Sequence, residues 1–207
     1  MKLEANDIVQ WLINVNREIQ EHKDYLSRLD RPIGDGDHGI NMARGFRAVE
    51  ERIKNTEYVT ASEVLKDTAF LLISKVGGAS GPLFGTAFLK MSTELKKSNT
   101  SFDDRILINS LDKAVQGVME LGKAKVGEKT MVDVWHPVVD CLKQEGKIQP
   151  EQLSNVANKA MKSTKKFQAT KGRAAYFKEA SVGHIDPGSA SSFLIFESLA
   201  KMLKEKK

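Results

Sequence analysis

Residues 31–45 read RPIGDGDHGINMARG, and the reading of this stretch decides between two fold classes. Gly34, Gly36 and Gly39 match G-x-G-x-x-G, the fingerprint of loops that cradle a pyrophosphate on backbone N–H groups. That fingerprint should follow a strand and open a helix within a parallel α/β sheet. Here the preceding apolar residues fall at helical spacing: Ile8, Trp11, Leu12, Val15 and Ile19, continued by Leu26. Asp30, Asp35 and Asp37 also bring carboxylates to a place where a bare pyrophosphate loop wants none. The dinucleotide reading fails on context.

Outward from this loop the helical spacing continues to the end of the chain. Further stripes run from Met42 to Ile53, Val64 to Val76, Phe84 to Leu95 (opened by Pro82), Ile106 to Val118, Val132 to Leu142, Leu153 to Met161 and Phe193 to Leu203. Pro137 should bend or restart the sixth helix. With no convincing alternating strand, linker or repeat, the expectation is all-α: one domain over 1–207, an eight-helix antiparallel up-and-down bundle or barrel. In such a bundle alternate joints share an end. Joints two, four and six read KNTEYVTA, KKSNTS and GKIQP, which are ordinary polar turns. Joints one, three, five and seven read DRPIGDGDHG, GGASGP, GKAKVGEKT and KGRAAYFKEASVGHIDPGSA. The glycine-rich, chemically suggestive joints are all odd. They should meet at one rim.

Composition narrows the chemistry available there. The 207 residues are 41% hydrophobic and 29% charged, suited to a soluble globular chain, and no apolar run reaches membrane-span length. The lone cysteine, Cys141, permits neither an internal disulfide nor a cysteine zinc cluster, and its apolar neighbours make it a buried structural thiol. A cytoplasmic setting fits. The net charge of +5 is spread along the chain. Its one basic cluster, KSTKKFQATKGR at 162–173, holds a single aromatic residue, too few for a nucleic-acid stacking platform. His136 and His184 lack the third ligand of matching spacing that a zinc site needs, and His22 sits on a polar helical face.

The aspartate loop is not an EF-hand: counted from Asp30, position six is Asp35 and position twelve is Asn41. GGASGPL is not a nucleophile elbow either. Two readings remain. Asp30, Asp35 and Asp37 cap helices in a solvated loop, or they hold a hard cation such as magnesium, which then holds phosphate at the start of the next helix.

Four motifs in order, GDGDHG with NM, GGASGPLFGTAF, GEKTMVD and KGRAAYFKEASVGHIDPGS, closely resemble those of the nucleotide-binding L subunits of bacterial dihydroxyacetone kinases. The resemblance covers nearly the whole chain. Fatty-acid kinase nucleotide domains are similar but typically have threonine at the position of His38. The resemblance implies an eight-helix barrel binding ADP or ATP with two magnesium ions. It implies Asp30, Asp35 and Asp37 as metal ligands, His38, Gly39, Ile40 and Asn41 as a phosphate-binding helix start, and Ala79 and Ser80 as a nucleotide-contacting turn. Gly122 and Met131 would surround the adenine. Arg173, Asp186, Pro187 and Gly188 would belong to the covering loop. Arg173 would also be the catalytic electrostatic aid. Ile40 replaces a common threonine and Ser189 a common alanine, so a hydroxyl contact at position 40 would be lost.

For a stand-alone chain of this type the resemblance further implies a phosphotransferase-system kinase. A phosphohistidine on an M subunit would rephosphorylate bound ADP, and the phosphoryl group would pass to dihydroxyacetone on a K subunit, which supplies any general base. Two other readings stay open here: a magnesium-dependent kinase for another acceptor, and a nucleotide-loaded regulator docking on a transcription factor.

Overall fold

The computed structural model describes residues 2–98 and 100–206; Met1, Lys207 and Asn99 of the joint KKSNTS lie outside them. Among the described residues nine α-helices follow in order: α1 (Ala5–Glu21), α2 (Lys23–Asp30), α3 (His38–Lys54), α4 (Ala61–Lys75), α5 (Ser80–Leu95), α6 (Asp104–Gly122), α7 (Val132–Glu145), α8 (Pro150–Ser163) and α9 (Pro187–Glu205). They correspond to the eight apolar stripes, with the first interrupted at His22, whose φ of −100° and ψ of 10° leave the helical region. The Nδ1 of His22 meets the carbonyl of Glu18 at 2.9 Å.

Three expectations need correction. Residues Lys2–Glu4 (β1) and Ser101–Asp103 (β2) pair as a two-stranded antiparallel ribbon, although no strand was expected. Three residues are too few to show a period of two. The helix α7 runs without a restart through Pro137. Cys141 is half-buried rather than buried, and Gln152 Nε2 donates to its sulfur at 3.2 Å.

Each helix packs on its neighbours in sequence, and α9 returns to pack on α1, closing the ring. The apolar stripes meet inside it. Trp11, Phe46, Phe84, Phe88, Trp135 and Phe196 are all fully buried. The two indole N–H groups are satisfied there: Trp11 donates to the Ile195 carbonyl and Trp135 to Ser192 Oγ, each at 2.9 Å. The serines of α9 enter the interior by bonding back, Ser192 to the Gly188 carbonyl and Ser198 to that of Leu194. Among the described residues no helix is long and apolar enough to cross a membrane.

The ribbon fixes the ends of the ring. It joins the start of α1 to the α5–α6 joint, so the chain start and the even joints share one rim. The Ile148 N–H, in the α7–α8 joint, donates to Asp104 on the same rim at 3.0 Å. The odd joints occupy the other.

Candidate functional site

At that other rim lies a cavity of about 410 Å³, lined from all four odd joints. The volume falls within the ~300–1,000 Å³ of small-molecule sites. Asp30, Asp35, Asp37, His38 and Asn41 come from the first joint and the start of α3. Ala79 and Ser80 come from the third, Gly122 and Met131 from the fifth, and Arg173, Asp186, Pro187 and Gly188 from the seventh. Thirteen of the fifteen residues expected from sequence thus line one cavity.

Gly39 and Ile40 are the two that do not. Gly39 presses α3 onto α2; a Cβ there would stand 1.9 Å from the Lys23 carbonyl oxygen. Ile40 is exposed at the surface. Their backbone N–H groups, however, meet no acceptor among the described residues. The same is true of Ser80 and Gly81 at the start of α5. Free amides at two helix starts, each carrying the positive end of a helix dipole, form anion-seeking ground.

The aspartates meet beside it. Carboxylate oxygens of Asp30, Asp35 and Asp37 lie within 4.8 Å of one another. Asp30 does cap α3: its Oδ2 accepts from the N–H of Asp37 at 3.1 Å and of His38 at 3.3 Å. Burial raises its pKa, and the charge of Asp35 raises it further. Gly36, at φ 77°, takes the left-handed turn that folds Asp35 and Asp37 back toward Asp30. Asp35 and Asp37 are exposed and cap nothing through their side chains, so helix capping accounts for one aspartate of three. The donor set, three converging carboxylates beside free amides, fits a hard divalent cation.

His38 stands inside, and burial lowers its pKa to about 4. Ser191 Oγ donates to the Pro187 carbonyl at 3.2 Å, so His38 Nε2 donates to that hydroxyl at 2.6 Å. The other ring nitrogen, Nδ1, then accepts from Ser80 Oγ at 3.3 Å. A neutral imidazole ties the starts of α3, α5 and α9 together.

The opposite wall is apolar, with Leu83, Val118, Leu121, Met131 and Val132 facing the cavity. Over the mouth lies the seventh joint. It carries a 3-10 stretch, Arg173–Ser181, broken at Lys178, and Arg173 Nη2 reaches Asp35 Oδ2 at 3.0 Å. Both members of that pair remain accessible to solvent.

Within GEKTMVD, sequence reasoning singles out Met131 and passes over Lys129. The structure gives Lys129 a buried ammonium and a φ of 62°. Its Nζ donates to the Thr164 carbonyl at 2.6 Å and to that of His184, clamping the two ends of the covering joint. Asp186 caps α9, accepting from the Ser189 N–H at 2.6 Å, and burial pushes its carboxyl up to about 7. Asp133 accepts from the Thr130 N–H at 2.7 Å and from that of Gly127. No spacing rule announces a buried lysine in a polar turn. Ser189, at the departure from alanine, uses its hydroxyl to donate to the Thr130 carbonyl at 2.7 Å.

Comparisons with known proteins agree on a family and on the fold. The DAK2 domain model matches residues 32–201. The PEP-dependent dihydroxyacetone kinase 1 ADP-binding subunit DhaL of Listeria innocua is 44% identical over 191 residues, 92% of this chain and 93% of that protein. The PTS-dependent counterpart of Lactococcus lactis is 43% identical over 201 residues, 97% of this chain and 99% of that one. The crystal structure of the C. freundii dihydroxyacetone kinase in complex with AMP-PNP and Mg2+ shares the fold, with a TM-score of 0.73 at 21% identity. That match covers 96% of this chain and a third (33%) of the larger protein.

Proposed function

The chain belongs to the DAK2-domain family of ADP-binding dihydroxyacetone kinase subunits, and from that premise we propose that it is the nucleotide-binding subunit of a PTS-dependent dihydroxyacetone kinase. In the cytoplasm it relays a phosphoryl group from a phosphohistidine on an M subunit to dihydroxyacetone held by a K subunit. The observation that carries the reading is the convergence on one cavity of three carboxylates and the free amides of two helix starts.

Each part of the cavity has a task in this scheme. Asp30, Asp35 and Asp37 would hold two magnesium ions, which supply charge neutralisation to phosphate oxygens. The amides at the starts of α3 and α5, with Asn41 and Ser80, bind the diphosphate. The wall of Leu83, Leu121, Gly122 and Met131 takes the adenine. Asp186, Pro187 and Gly188 close one side. Arg173, poised on Asp35, leaves that carboxylate for the phosphoryl group in transfer and spreads its charge over two oxygens. The covering joint excludes water from the transfer. No side chain at the mouth is placed as a general base; catalysis here is positioning and charge.

Native mass spectrometry of the purified protein, before and after EDTA, tests the binding half. One ADP with magnesium, both released by chelation, is the expected result. Nucleotide that survives prolonged EDTA refutes the metal-bridged site. Turnover of dihydroxyacetone on adding K and M subunits tests the rest, and its absence would favour a purely regulatory, nucleotide-loaded protein.

A further inference from the structure

Asn41 and Arg44 lie one turn apart on α3, at the cavity's edge. Arg44 donates twice: Nε to the Lys75 carbonyl at 2.7 Å and Nη2 to Asn41 Oδ1 at 2.6 Å. A guanidinium has donors only, so the Asn41 atom that it meets must be the amide oxygen. That settles which way the amide faces. Its nitrogen, Nδ2, is turned from Arg44 and finds no acceptor among the described residues, although Asn41 is only 7% exposed and lines the cavity. Gly77 leaves room for this arrangement: a Cβ there would come within 3.1 Å of Nδ2 and Oδ1 alike.

The second bond of Arg44 goes to the last residue of α4, immediately before the turn into α5. One exposed guanidinium thus fixes two things relative to each other, the Asn41 amide and the Gly77–Gly78–Ala79 turn that opens α5. An unpaired N–H2 on a nearly buried side chain that lines a cavity is a donor open to an oxygen there. We propose that Arg44 is a positioning residue for the nucleotide's phosphates, holding Asn41 so that its N–H2 donates to a phosphate oxygen. This deepens the nucleotide reading above and rests on it.

The test is calorimetric titration of the full chain with ADP in magnesium and, separately, with adenosine. The proteins are wild type, Arg44→Met, Asn41→Ala and the double variant. Hydrogen bonds to charged groups set the expected loss at roughly 10-fold in ADP affinity for Arg44→Met. Adenosine affinity should stay within about 2-fold, because nothing at the adenine end has moved. In the Asn41→Ala background, Arg44→Met should cost ADP almost nothing more, since its effect passes through Asn41. Equal losses for ADP and adenosine would make Arg44 a general structural brace and overturn the proposal. Additive losses in the double variant would overturn it as well.

Arg44→Lys guards against a folding artefact. It keeps the charge but offers one nitrogen where the guanidinium uses two, so the selective ADP loss should persist. Full ADP affinity in that variant would mean that Arg44 acts by charge alone, against the proposal. Wild type that fails to bind ADP with magnesium would instead refute the nucleotide reading itself.

Discussion

The two rims of the ring are built from the ends of the same helices, yet they treat helix starts in opposite ways. At the rim of the even joints three of the four helix starts cap themselves, and Gln149 leaves only α8 without a side-chain cap. Glu4 and Asp7 exchange side-chain and backbone bonds at the start of α1, and Thr60 and Glu63 do the same for α4. Asp103 accepts from the Ile106 N–H at 3.0 Å to cap α6. Acidic residues Asp7, Glu63, Asp104 and Glu151 occupy the first turns and complement the dipoles. At the cavity rim α3, α5 and α7 have no cap from their own N-cap side chain, and the first turns of α3, α5 and α9 carry no acid. A helix start that satisfies itself is finished structure. Those left open at the cavity keep amides free for a ligand. The contrast makes separable claims: damage at the open rim should cost function and spare the fold, and damage at the capped rim should do the reverse.

The largest effect should come from Arg173→Ala. If the guanidinium serves the phosphoryl group in transfer, turnover with K and M subunits should fall roughly 10²–10³-fold, the scale for one such electrostatic contact. ADP content after gel filtration should change far less. Normal turnover, or a loss fully explained by lost ADP, would leave Arg173 as a clamp or a solvated cation. Next comes Asp35→Asn. Outer-shell partners of metals cost about 10–100-fold in affinity, so a metal ligand itself should weaken magnesium-dependent ADP binding by no less than about 10-fold. Helix content by circular dichroism should be unchanged. Lost helix at room temperature would make the open rim as structural as the capped one, and the comparison would break.

Much of this contrast was legible in the sequence. The apolar stripes gave the helices, and their parity placed the odd joints together, because short connections leave antiparallel helices little choice. What escaped was set by tertiary contact. Lys129 sits in a polar turn, and only the return of Thr164 and His184 makes it a buried clamp. Arg44 reads as an ordinary charge on an amphipathic helix until the Lys75 carbonyl is brought to it. The β1–β2 ribbon is too short to show alternation. The break at His22 leaves the apolar stripe of α1 and α2 in phase, so periodicity could not show it.

Asp186 marks the one helix start at the open rim that is capped by its own N-cap side chain, and its protonation offers a third measurement. The carboxyl titrates near 7 when folded, against an ordinary value of 3.8, because burial disfavours its charge. The folded state therefore binds the proton more tightly than the unfolded state. Stability from this group is present below about pH 4 and is lost as pH rises through about 7. Asp186→Asn removes that loss. Relative to wild type, the variant should gain on the order of 1–2 kcal/mol between pH 4 and pH 7.5, after screening by water in the cavity. Denaturant melts across that range decide it. A constant difference between the two proteins would mean that the carboxyl is ionised throughout.

The smallest effect should come from the capped rim, and it is the strictest check on the comparison. Thr60 accepts from the Glu63 N–H at 3.3 Å, while Glu63 Oε2 accepts from the N–H of Thr60 at 3.0 Å and of Val59 at 3.2 Å. Thr60→Ala removes one limb of this box and leaves the other, so about 1 kcal/mol of stability should go. For a chain of this size that lowers the melting temperature by roughly 2–4 °C. Because the cavity lies at the other end of α4, ADP affinity should be unaltered, and saturating ADP should raise the melting temperature of variant and wild type by the same amount. A Thr60→Ala protein that melts normally would show the cap to be redundant with the Glu63 limb. A variant that binds ADP less tightly would show that the rims are coupled along α4, and the division between a finished end and an open end would fail.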